Sequence, residues 1–505
     1  MNEILLNAKY SSLAHLFYRK HVFKDNTILL ESAEIVDKSG TRSIIGASCA
    51  LKIICNDLKV TFVATNKNGK ALIKILEQKL NIKSSDGNSL FITYERPPKD
   101  LDEETRLKFP SPLDALRVVK NIVADFKDIT FTGIIAFDFI NNFENIAKVK
   151  SGKNTCPDLI FYLYDISVNF DNINKITTVH AYSFSDECKN DCLINAYAIK
   201  EQLDNFSTDF TLKPMKAPKL SYNVNIPDDK FKELVVKIKE HITKGDAFQV
   251  VPSRVFEVPC KDPFLSYAYL KAGNPSPYMY FIKDEDFTLI GASPEYALRY
   301  EAASNEVSIS PIAGTRIRGT DDNGNIDEDL DSRIELELRM DQKEISEHLM
   351  LVDLARNDLA RIAKTGTRHV HNLLHVDRYQ SVMHLVSDVK AKLKDGLDAL
   401  HAYQASMNMG TLSGAPKIMA HELIYKYEGV KRGSYGGVVA RLETGGSFDS
   451  CIAIRSAFIK DDIAYIQAGC GVVHYSDPQA ETDETINKAR SVISAILKAN
   501  IASED

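Results

Sequence analysis

Short apolar runs, separated by turn-like segments and arranged in hairpin order, dominate the chain. The runs LIFYLYDISVNFD (159–171) and ITTVHAYSF (176–184) are typical of two strands joined by a tight turn. Segments with helical spacing, at 71–80, 112–126 and 342–363, lie between such runs. This order predicts an α+β fold with antiparallel sheets, and not a doubly wound parallel sheet.

A proline-rich stretch marks the best candidate domain boundary. The segment TLKPMKAPKLSYNVNIPDD (211–229) holds three prolines and ends in two aspartates, just before an amphipathic helical pattern. We therefore predict an N-terminal domain over 1–220 and a larger second domain over 221–505.

The composition is that of a globular enzyme or binding protein. Of 505 residues, 44% are hydrophobic and 26% are charged, and the net charge of −7 comes with no Lys/Arg-rich block. This argues against nucleic acid and anionic membranes as partners. No apolar run is long enough for a membrane span, and the N-terminus does not resemble a signal peptide. Eight scattered cysteines without a CxxC pair indicate reduced thiols and a cytoplasmic location.

One stretch near the C-terminus, QAGCGVVHYSDPQAETDETINK (467–488), combines glycines with a charged helical stripe. On a helix Glu481, Glu484 and Lys488 share one face. A second pair, Glu344 and Glu347, repeats the spacing on another predicted helix. Two interpretations stay open on spacing alone: solvated acidic faces, or four carboxylates around a hard cation such as Mg²⁺.

Three further features have a structural and a functional interpretation. GTLSGAPK (410–417) lacks the spacing of a phosphate-binding Walker loop, so ATP binding is set aside, and its glycines are expected to let the backbone approach an anionic ligand. His384 lies in an apolar run, where a histidine is more often a satisfied core residue. Arg455 lies in the apolar run CIAIRSAF, predicted to be a strand, and there needs an anionic partner.

Several long motifs together resemble the chorismate-binding enzymes, and among them the anthranilate synthase component I family. These are PIAGTR (311–316), EISEHLMLVDLARNDL (344–359), MNMGTLSGAPK (407–417), RGSYGG (432–437), QAGCGVV (467–473), ETDETINKA (481–489), LLES (29–32) and NPSPYM (274–279). The resemblance covers almost the whole chain. It implies two antiparallel sheets packed as a sandwich with surrounding helices, and a Mg²⁺-dependent reaction of chorismate and ammonia that yields anthranilate and pyruvate.

The resemblance also implies roles for single residues. Glu347 and Glu484 match direct magnesium ligands, and Glu344 and Glu481 match carboxylates that hold the metal's waters. Glu295 matches the general acid that protonates the departing C4 hydroxyl, whereas His384 and Thr411 match other catalytic positions. The positions that match the clamp on the substrate's carboxylates are Gly314, Thr315, Tyr435, Arg455, Gly469, Cys470, Gly471 and Lys488.

Two positions favour the ortho product over those of sister enzymes. Aminodeoxychorismate synthases typically carry a nucleophilic lysine where this chain has Ala313. Isochorismate and salicylate synthases carry a water-activating lysine where this chain has Gln249, which is no base at neutral pH. Two alternatives to an anthranilate synthase remain: an aminodeoxychorismate synthase, and a catalytically inactive tryptophan sensor.

A partner and a regulator are implied as well. The chain has no glutaminase nucleophile motif, so a glutamine amidotransferase subunit is expected to supply ammonia, in a heterotetramer of two large and two small subunits. Feedback inhibition by L-tryptophan is expected at a separate site, with Arg441 and Arg42 as departures from the family's usual residues there. Its predicted residues are Glu31, which faces the ligand ammonium, and Ser32, Pro277, Tyr278 and Met279.

Overall fold

The computed structural model describes residues 2–33, 42–84, 86–126, 128–321, 325–379 and 382–503. Over these residues the α-helices are α1 (Ala14–Phe17), α2 (Lys67–Leu80), α3 (Glu103–Leu107), α4 (Leu113–Ile122), α5 (Lys189–Asp204), α6 (Asp228–Thr243), α7 (Pro263–Gly273), α8 (Glu328–Met340), α9 (Gln342–Ala360), α10 (Ala399–Ser406), α11 (Lys417–Glu428) and α12 (Pro478–Ala502). None of these helices is long and apolar enough to cross a bilayer.

The strands are β1 (Asn2–Ala8), β2 (Thr27–Glu31), β3 (Arg42–Asn56), β4 (Lys59–Ala64), β5 (Ser89–Thr93), β6 (Thr130–Ile135), β7 (Leu159–Asp171), β8 (Ile176–Ser183), β9 (Asn223–Val224), β10 (Gln249–Val250), β11 (Ser253–Pro259), β12 (Tyr278–Lys283), β13 (Thr288–Ser293), β14 (Tyr296–Glu301), β15 (Glu306–Ile309), β16 (Ile312–Ile317), β17 (His369–Arg378), β18 (Val382–Lys392), β19 (Gly414–Ala415), β20 (Val438–Glu443), β21 (Phe448–Ile452), β22 (Ser456–Lys460) and β23 (Ile463–Gly469).

All but one pair of these strands belong to a continuous antiparallel network that forms two sheets. The first sheet has the order β9-β11-β23-β22-β13-β12-β2-β3-β7-β8-β1. The second runs β5-β4-β3-β7-β6-β20-β21-β14-β15-β18, with β16 and β17 also paired to β18. The long strands β3 and β7 enter both sheets, and the register of β3 shifts between Gly46 and Leu51, where it bends.

The two sheets pack face to face. A buried cluster joins Tyr280, Leu289 and Phe458 of the first sheet to Ile134 and Val439 of the second. The outer face of the first sheet packs on α1, α5, α7 and α12, and that of the second on α2, α4, α9 and α10. The predicted α+β sandwich with surrounding helices is therefore confirmed.

The predicted division at residue 220 stays a prediction. No helix or strand is described between Asp204 and Asn223, as expected of a linker. However, strands from both sides of this segment share each sheet, since β2 pairs with β12 and β6 pairs with β20.

Several element boundaries differ from the predicted ones. The helix predicted over 71–80 begins at Lys67, because the Asn66 side chain caps it by accepting from the Gly69 N–H. The one predicted over 112–126 is confined to Leu113–Ile122, and the one over 342–363 ends at Ala360. The run CIAIRSAF is two strands, β21 and β22, because the backbone at Arg455 takes a left-handed conformation with φ of 48°.

Candidate active site

Glu295 lies between β13 and β14, in a position suited to donating a proton. Its side chain is buried, with 7% of the residue exposed, and its Oε1 accepts a hydrogen bond of 3.1 Å from the Thr411 hydroxyl. Burial raises its pKa to about 8, against the lowering effects of Thr411 and the Lys488 charge. Glu295 is therefore protonated at neutral pH, as a general acid must be.

His384 and Thr315 face each other across β18 and β16, and their ring and hydroxyl are 2.8 Å apart. Burial, helped by the Arg455 charge, lowers the pKa of His384 to about 4. The imidazole is therefore neutral at physiological pH, which leaves one ring nitrogen without a proton. On the same strand Gly314 has φ of +91°, and a Cβ there would lie 3.3 Å from Glu344 Oε2.

Two helices present the four predicted carboxylates. Asp341 caps the start of α9, and Asp477 caps the start of α12, which places the first glutamate of each pair in its helix's first turn. Burial and the nearby Glu344 charge raise the pKa of Glu347 to about 7. Burial raises the pKa of Glu481 too, and its Oε2 is buried without a hydrogen-bond partner. Such unbalanced carboxylates fit a cation.

The four glutamates nevertheless do not form a closed ligand set. Glu344 accepts from Arg316 at 2.9 Å, and Glu484 pairs with Lys488 at 2.6 Å. Within the described residues, the group whose ligand atoms all lie within 4.8 Å of one another is in a different region, and comprises Glu3, Asp128 and His180. Magnesium binding therefore stays a prediction that rests on the buried, unpartnered Glu481 Oε2 and the raised pKa of Glu347.

Two cations and a phenol converge beside these carboxylates. The Lys488 ammonium lies 3.1 Å from the Gly469 carbonyl, and Arg455 Nη1 donates to the Lys488 carbonyl at 2.9 Å. The Tyr435 hydroxyl would lie 3.1 Å from a Cβ at Gly469. Burial lowers the pKa of Arg455, so a guanidinium here needs an anion. An anionic partner for Arg455 stays a prediction, and Arg455 lies in the break between β21 and β22 and not within a strand.

The segment 469–471, in which two glycines flank Cys470, lies between the Arg455, Lys488 and Tyr435 group and the four glutamates. A Cβ at Gly471 would lie 3.2 Å from Glu347 Oε1 and 3.5 Å from Gln249 Nε2. Gln249 is 1% exposed, and its Oε1 has no partner. The Cys470 N–H donates to the Pro252 carbonyl at 3.1 Å, so this N–H is not free to clamp a substrate carboxylate. We call the whole region the carboxylate cleft; its residues are Gln249, Glu295, Gly314, Thr315, Glu344, Glu347, His384, Thr411, Tyr435, Arg455, Gly469, Gly471, Glu481, Glu484 and Lys488.

The segment 410–417 borders the cleft but does not offer its lysine to a ligand. Lys417, whose side chain is 11% exposed, pairs with Asp358 at 2.6 Å, and it also donates to the Ser406 carbonyl. A cavity of about 530 Å³ adjoins this ion pair, and Glu295 does not line it. The side chain of this segment that contacts Glu295 is Thr411, through its hydroxyl.

The five residues predicted to bind tryptophan line one cavity. This inter-sheet cavity has a volume of about 210 Å³, and Arg42 and Arg441 line it too. Glu31, Ser32, Pro277, Tyr278 and Met279 thus lie together, at a site separate from the carboxylate cleft. Tryptophan binding there is untested and stays a prediction.

Charged groups that border the inter-sheet cavity have partners within the protein, and the Glu31 carboxylate meets α7 on the outer face of the first sheet. The Glu31 carboxylate accepts from Tyr267 at 2.8 Å and from Lys271 at 3.0 Å, and although burial alone raises the pKa, His15 and Lys271 hold it at about 2. The Tyr278 hydroxyl donates to Asp449 at 2.8 Å. The predicted contact of Glu31 with a ligand ammonium would therefore compete with Lys271.

Sequence reasoning missed two groups in these regions. Arg299 bonds the Tyr278 hydroxyl and Asp449, inside the inter-sheet cavity. Arg432 belongs to the motif RGSYGG but was given no role, and it is among the largest fully buried side chains. The signal in both cases is an arginine in an otherwise apolar or glycine-rich run, which requires buried acceptors.

Comparisons with known proteins show the family to which the chain belongs. The model of the chorismate binding enzyme family matches residues 69–494. Anthranilate synthase component 1 of Vibrio parahaemolyticus is 47% identical over 490 residues, which cover 94% of this chain and 89% of that protein. The chain belongs to the anthranilate synthase component 1 family of chorismate-binding enzymes.

Other members of the component 1 family support the same assignment. Anthranilate synthase component 1 of Escherichia coli is 45% identical over 498 residues, covering 97% of this chain and 95% of that protein. The crystal structure of anthranilate synthase component I from Streptococcus pneumoniae TIGR4 superposes with a TM-score of 0.72 at 28% identity, covering 91% of this chain and 93% of that one. The predicted family and fold are thus confirmed.

Proposed function

We propose that the chain is the large subunit of an anthranilate synthase, which converts chorismate and ammonia into anthranilate, pyruvate and water. The observation that carries this proposal is the buried Glu295, whose pKa is raised by burial and whose carboxyl is bonded by Thr411, in a cleft that also holds Arg455 and Lys488. Membership of the component 1 family supports it independently.

In the first stage ammonia adds to C2 of chorismate while the C4 hydroxyl leaves. Glu295 gives its proton to that hydroxyl, so that water departs instead of hydroxide. Burial keeps the proton on Glu295 until the oxygen develops negative charge, since the carboxylate it leaves behind is poorly solvated. The nearby Lys488 ammonium stabilises that carboxylate once it forms.

In the second stage the C2 proton is lost and pyruvate is eliminated, which makes the ring aromatic. His384 is the proposed base: its imidazole is neutral, and Thr315 fixes its orientation through Nδ1. The cation that forms on proton transfer is disfavoured by burial, so the proton is passed on to the departing pyruvate enolate, which becomes pyruvate, and does not stay on His384.

The dianionic substrate is held by the clamp of Arg455, Lys488 and Tyr435. The half-buried Arg455 guanidinium and Lys488 ammonium replace the water that the carboxylates lose on entry. Mg²⁺ would be held by Glu347 and Glu484, with Glu344 and Glu481 on its waters. When bound, it would neutralise and orient the substrate's ring carboxylate.

The ortho product follows from two side chains that lack an amine. Ala313 is almost fully buried and offers a methyl group, so no covalent amine adduct at C2 is available. Gln249 cannot deprotonate water at neutral pH, which disfavours hydration of the ring. Ammonia is therefore the attacking nucleophile.

Ammonia is supplied by a glutamine amidotransferase subunit, as the name component 1 of the relatives suggests, in a heterotetramer of two large and two small subunits. L-tryptophan binds the inter-sheet cavity and inhibits the enzyme at a site separate from the substrate. The reaction is the first step of tryptophan biosynthesis, in the cytoplasm, so this is inhibition by the end product. Five predicted residues that line one cavity support this regulatory proposal.

Incubation of the purified chain with chorismate, Mg²⁺ and ammonium at mildly alkaline pH tests the proposal. Anthranilate fluorescence, with product identity checked by mass spectrometry and chromatography, is the expected result. A 4-amino product would show an aminodeoxychorismate synthase instead. A folded chain that gives neither product but binds tryptophan would show a sensor.

A further inference from the structure

Arg432 is buried between three segments of the carboxylate cleft, which carry Thr411, Gln249 and Tyr435. Only 1% of the residue is exposed, and it follows α11 in the turn before β20. Its Nε donates to Glu428 at 2.9 Å, and a second bond joins its Nη2 to the other oxygen of that carboxylate. This two-point pairing fixes the plane of the guanidinium.

Two of the three remaining guanidinium hydrogens reach backbone carbonyls. Nη1 donates to the Leu412 carbonyl at 2.8 Å, and Nη2 donates to the Val251 carbonyl at 2.6 Å. Leu412 directly follows Thr411, whose hydroxyl bonds the proton donor Glu295. One planar cation thus ties the loop that carries Thr411 to the segment that carries Gln249.

The same network reaches the clamp. The Arg432 guanidinium lies 5.6 Å from the centre of the Tyr435 ring. Glu428 also accepts from the Ser253 N–H at 2.8 Å, and the Ser253 hydroxyl accepts from Gln467 at 2.8 Å, two residues before Gly469. Arginine suits this place because its five donors form a rigid fork, whereas a lysine has three donors at one point.

We propose that Arg432 is a positioning residue that holds Thr411 against Glu295, and so sets the rate of proton donation and not the affinity for chorismate. This inference rests on the proposed function, because it takes Glu295 to be the proton donor. The competing interpretation is a buried arginine that only stabilises the fold.

Steady-state kinetics with ammonium on Arg432→Lys, Thr411→Val and the double variant distinguish the two. We expect each single change to lower kcat by about tenfold or more with KM for chorismate within about twofold, because both loosen the same proton donor. The double variant should be no more than about twofold worse than the slower single variant. The proposal would be overturned if the fold losses in kcat of the two single variants multiply in the double variant. A raised KM for chorismate with a normal kcat would overturn it as well.

Arg254→Lys is the matched control. Arg254 is equally buried, but it donates to Thr485 at 2.8 Å and to the Thr482 carbonyl at 3.1 Å, both on α12. The fold loss in kcat from Arg254→Lys should multiply with the fold loss from Thr411→Val. Coupling as strong as that of Arg432 would overturn the proposal.

If Arg432→Lys does not fold, Glu428→Gln serves in its place, because it removes the charge that orients the guanidinium. It should show the same coupling to Thr411→Val, and fold losses in kcat that multiply would also refute the proposal. A wild-type chain that makes no anthranilate refutes the proposed function, whereas an active wild type with uncoupled variants refutes this inference alone.

Discussion

The carboxylate cleft and the inter-sheet cavity both concentrate charge, but they compensate it in opposite ways. In the cleft, burial leaves groups out of balance: the pKa of Glu295 is raised to about 8, that of Glu347 is raised to about 7, and Glu481 keeps an unpartnered oxygen. At the border of the cavity, Glu31 is paired with Lys271 of α7, on the outer face of the first sheet, and its pKa is held at about 2. Buried charged groups without a partner can bind substrate or metal directly. Charged groups that are already paired must give up a partner before they bind a ligand.

The largest effect is expected from removing the proton donor. Glu295→Gln keeps the shape of the side chain but has no acidic proton, so kcat should fall by about 10²–10⁴-fold. Steady-state rates of anthranilate formation measure this. Glu301→Gln, an exposed position at the end of the adjoining β14, is the control and should leave kcat unchanged. Near-normal turnover of Glu295→Gln would show that another group donates the proton.

The next largest effect is expected from Glu484, one of the two predicted direct magnesium ligands. Glu484→Gln should lower kcat/KM by at least about a hundredfold and abolish the dependence on Mg²⁺, because a neutral amide is a poor ligand for this ion. Titration of activity with Mg²⁺ after chelation measures both. Asp483→Asn, the exposed neighbour on the same helix, should behave like the wild type. A Glu484→Gln enzyme that still responds to Mg²⁺ would contradict the metal assignment.

The balanced charges of the cavity predict a loss of stability. Glu31→Gln leaves the Lys271 ammonium without its partner and should reduce the free energy of unfolding by about 3 kcal/mol at neutral pH. Because the folded-state pKa of Glu31 is lowered from 4.5 to about 2, this stabilisation is present above pH 4.5 and is lost as the pH falls toward 2.

Denaturant unfolding at pH 7 and at low pH measures this difference. Glu306→Gln, which breaks the partly exposed pair with Lys390, is the control and should cost less than about 1 kcal/mol. An equal loss for both variants would mean that the Glu31 carboxylate is not buried against Lys271 in solution.

The smallest effect is expected from the rim of the cavity. Ser32→Ala removes one polar contact of about 1 kcal/mol, so inhibition by tryptophan should weaken by roughly fivefold while synthesis stays within about twofold. Inhibition curves for wild type and variant provide the measurement. Superimposable curves would place the regulator elsewhere.

The sequence predicts the parts of these two regions that depend on local periodicity. Helical spacing placed Glu344 with Glu347 and Glu481 with Glu484, and hairpin order predicted the antiparallel sheets. Contacts between distant segments were not predictable, because they arise only when the sheets assemble. Tyr278 and Asp449 meet from positions 171 residues apart.

The backbone conformation at Arg455 was likewise not predictable from the local sequence pattern. An apolar run around one arginine is typical of a strand, but the fold needs the chain to break there so that the guanidinium reaches α12. Likewise the pKa of Glu295 depends on burial, which its own neighbours in sequence do not determine.

The protonation state of Glu295 tests the central claim most directly. Infrared difference spectra of wild type minus Glu295→Gln, recorded as a function of pH, isolate the carbonyl stretch of this one carboxylic acid. We predict that the protonated band persists at neutral pH and disappears with a midpoint near pH 8. A midpoint near 4.5, the ordinary value for glutamate, would contradict the claim that this buried carboxyl is the enzyme's proton donor.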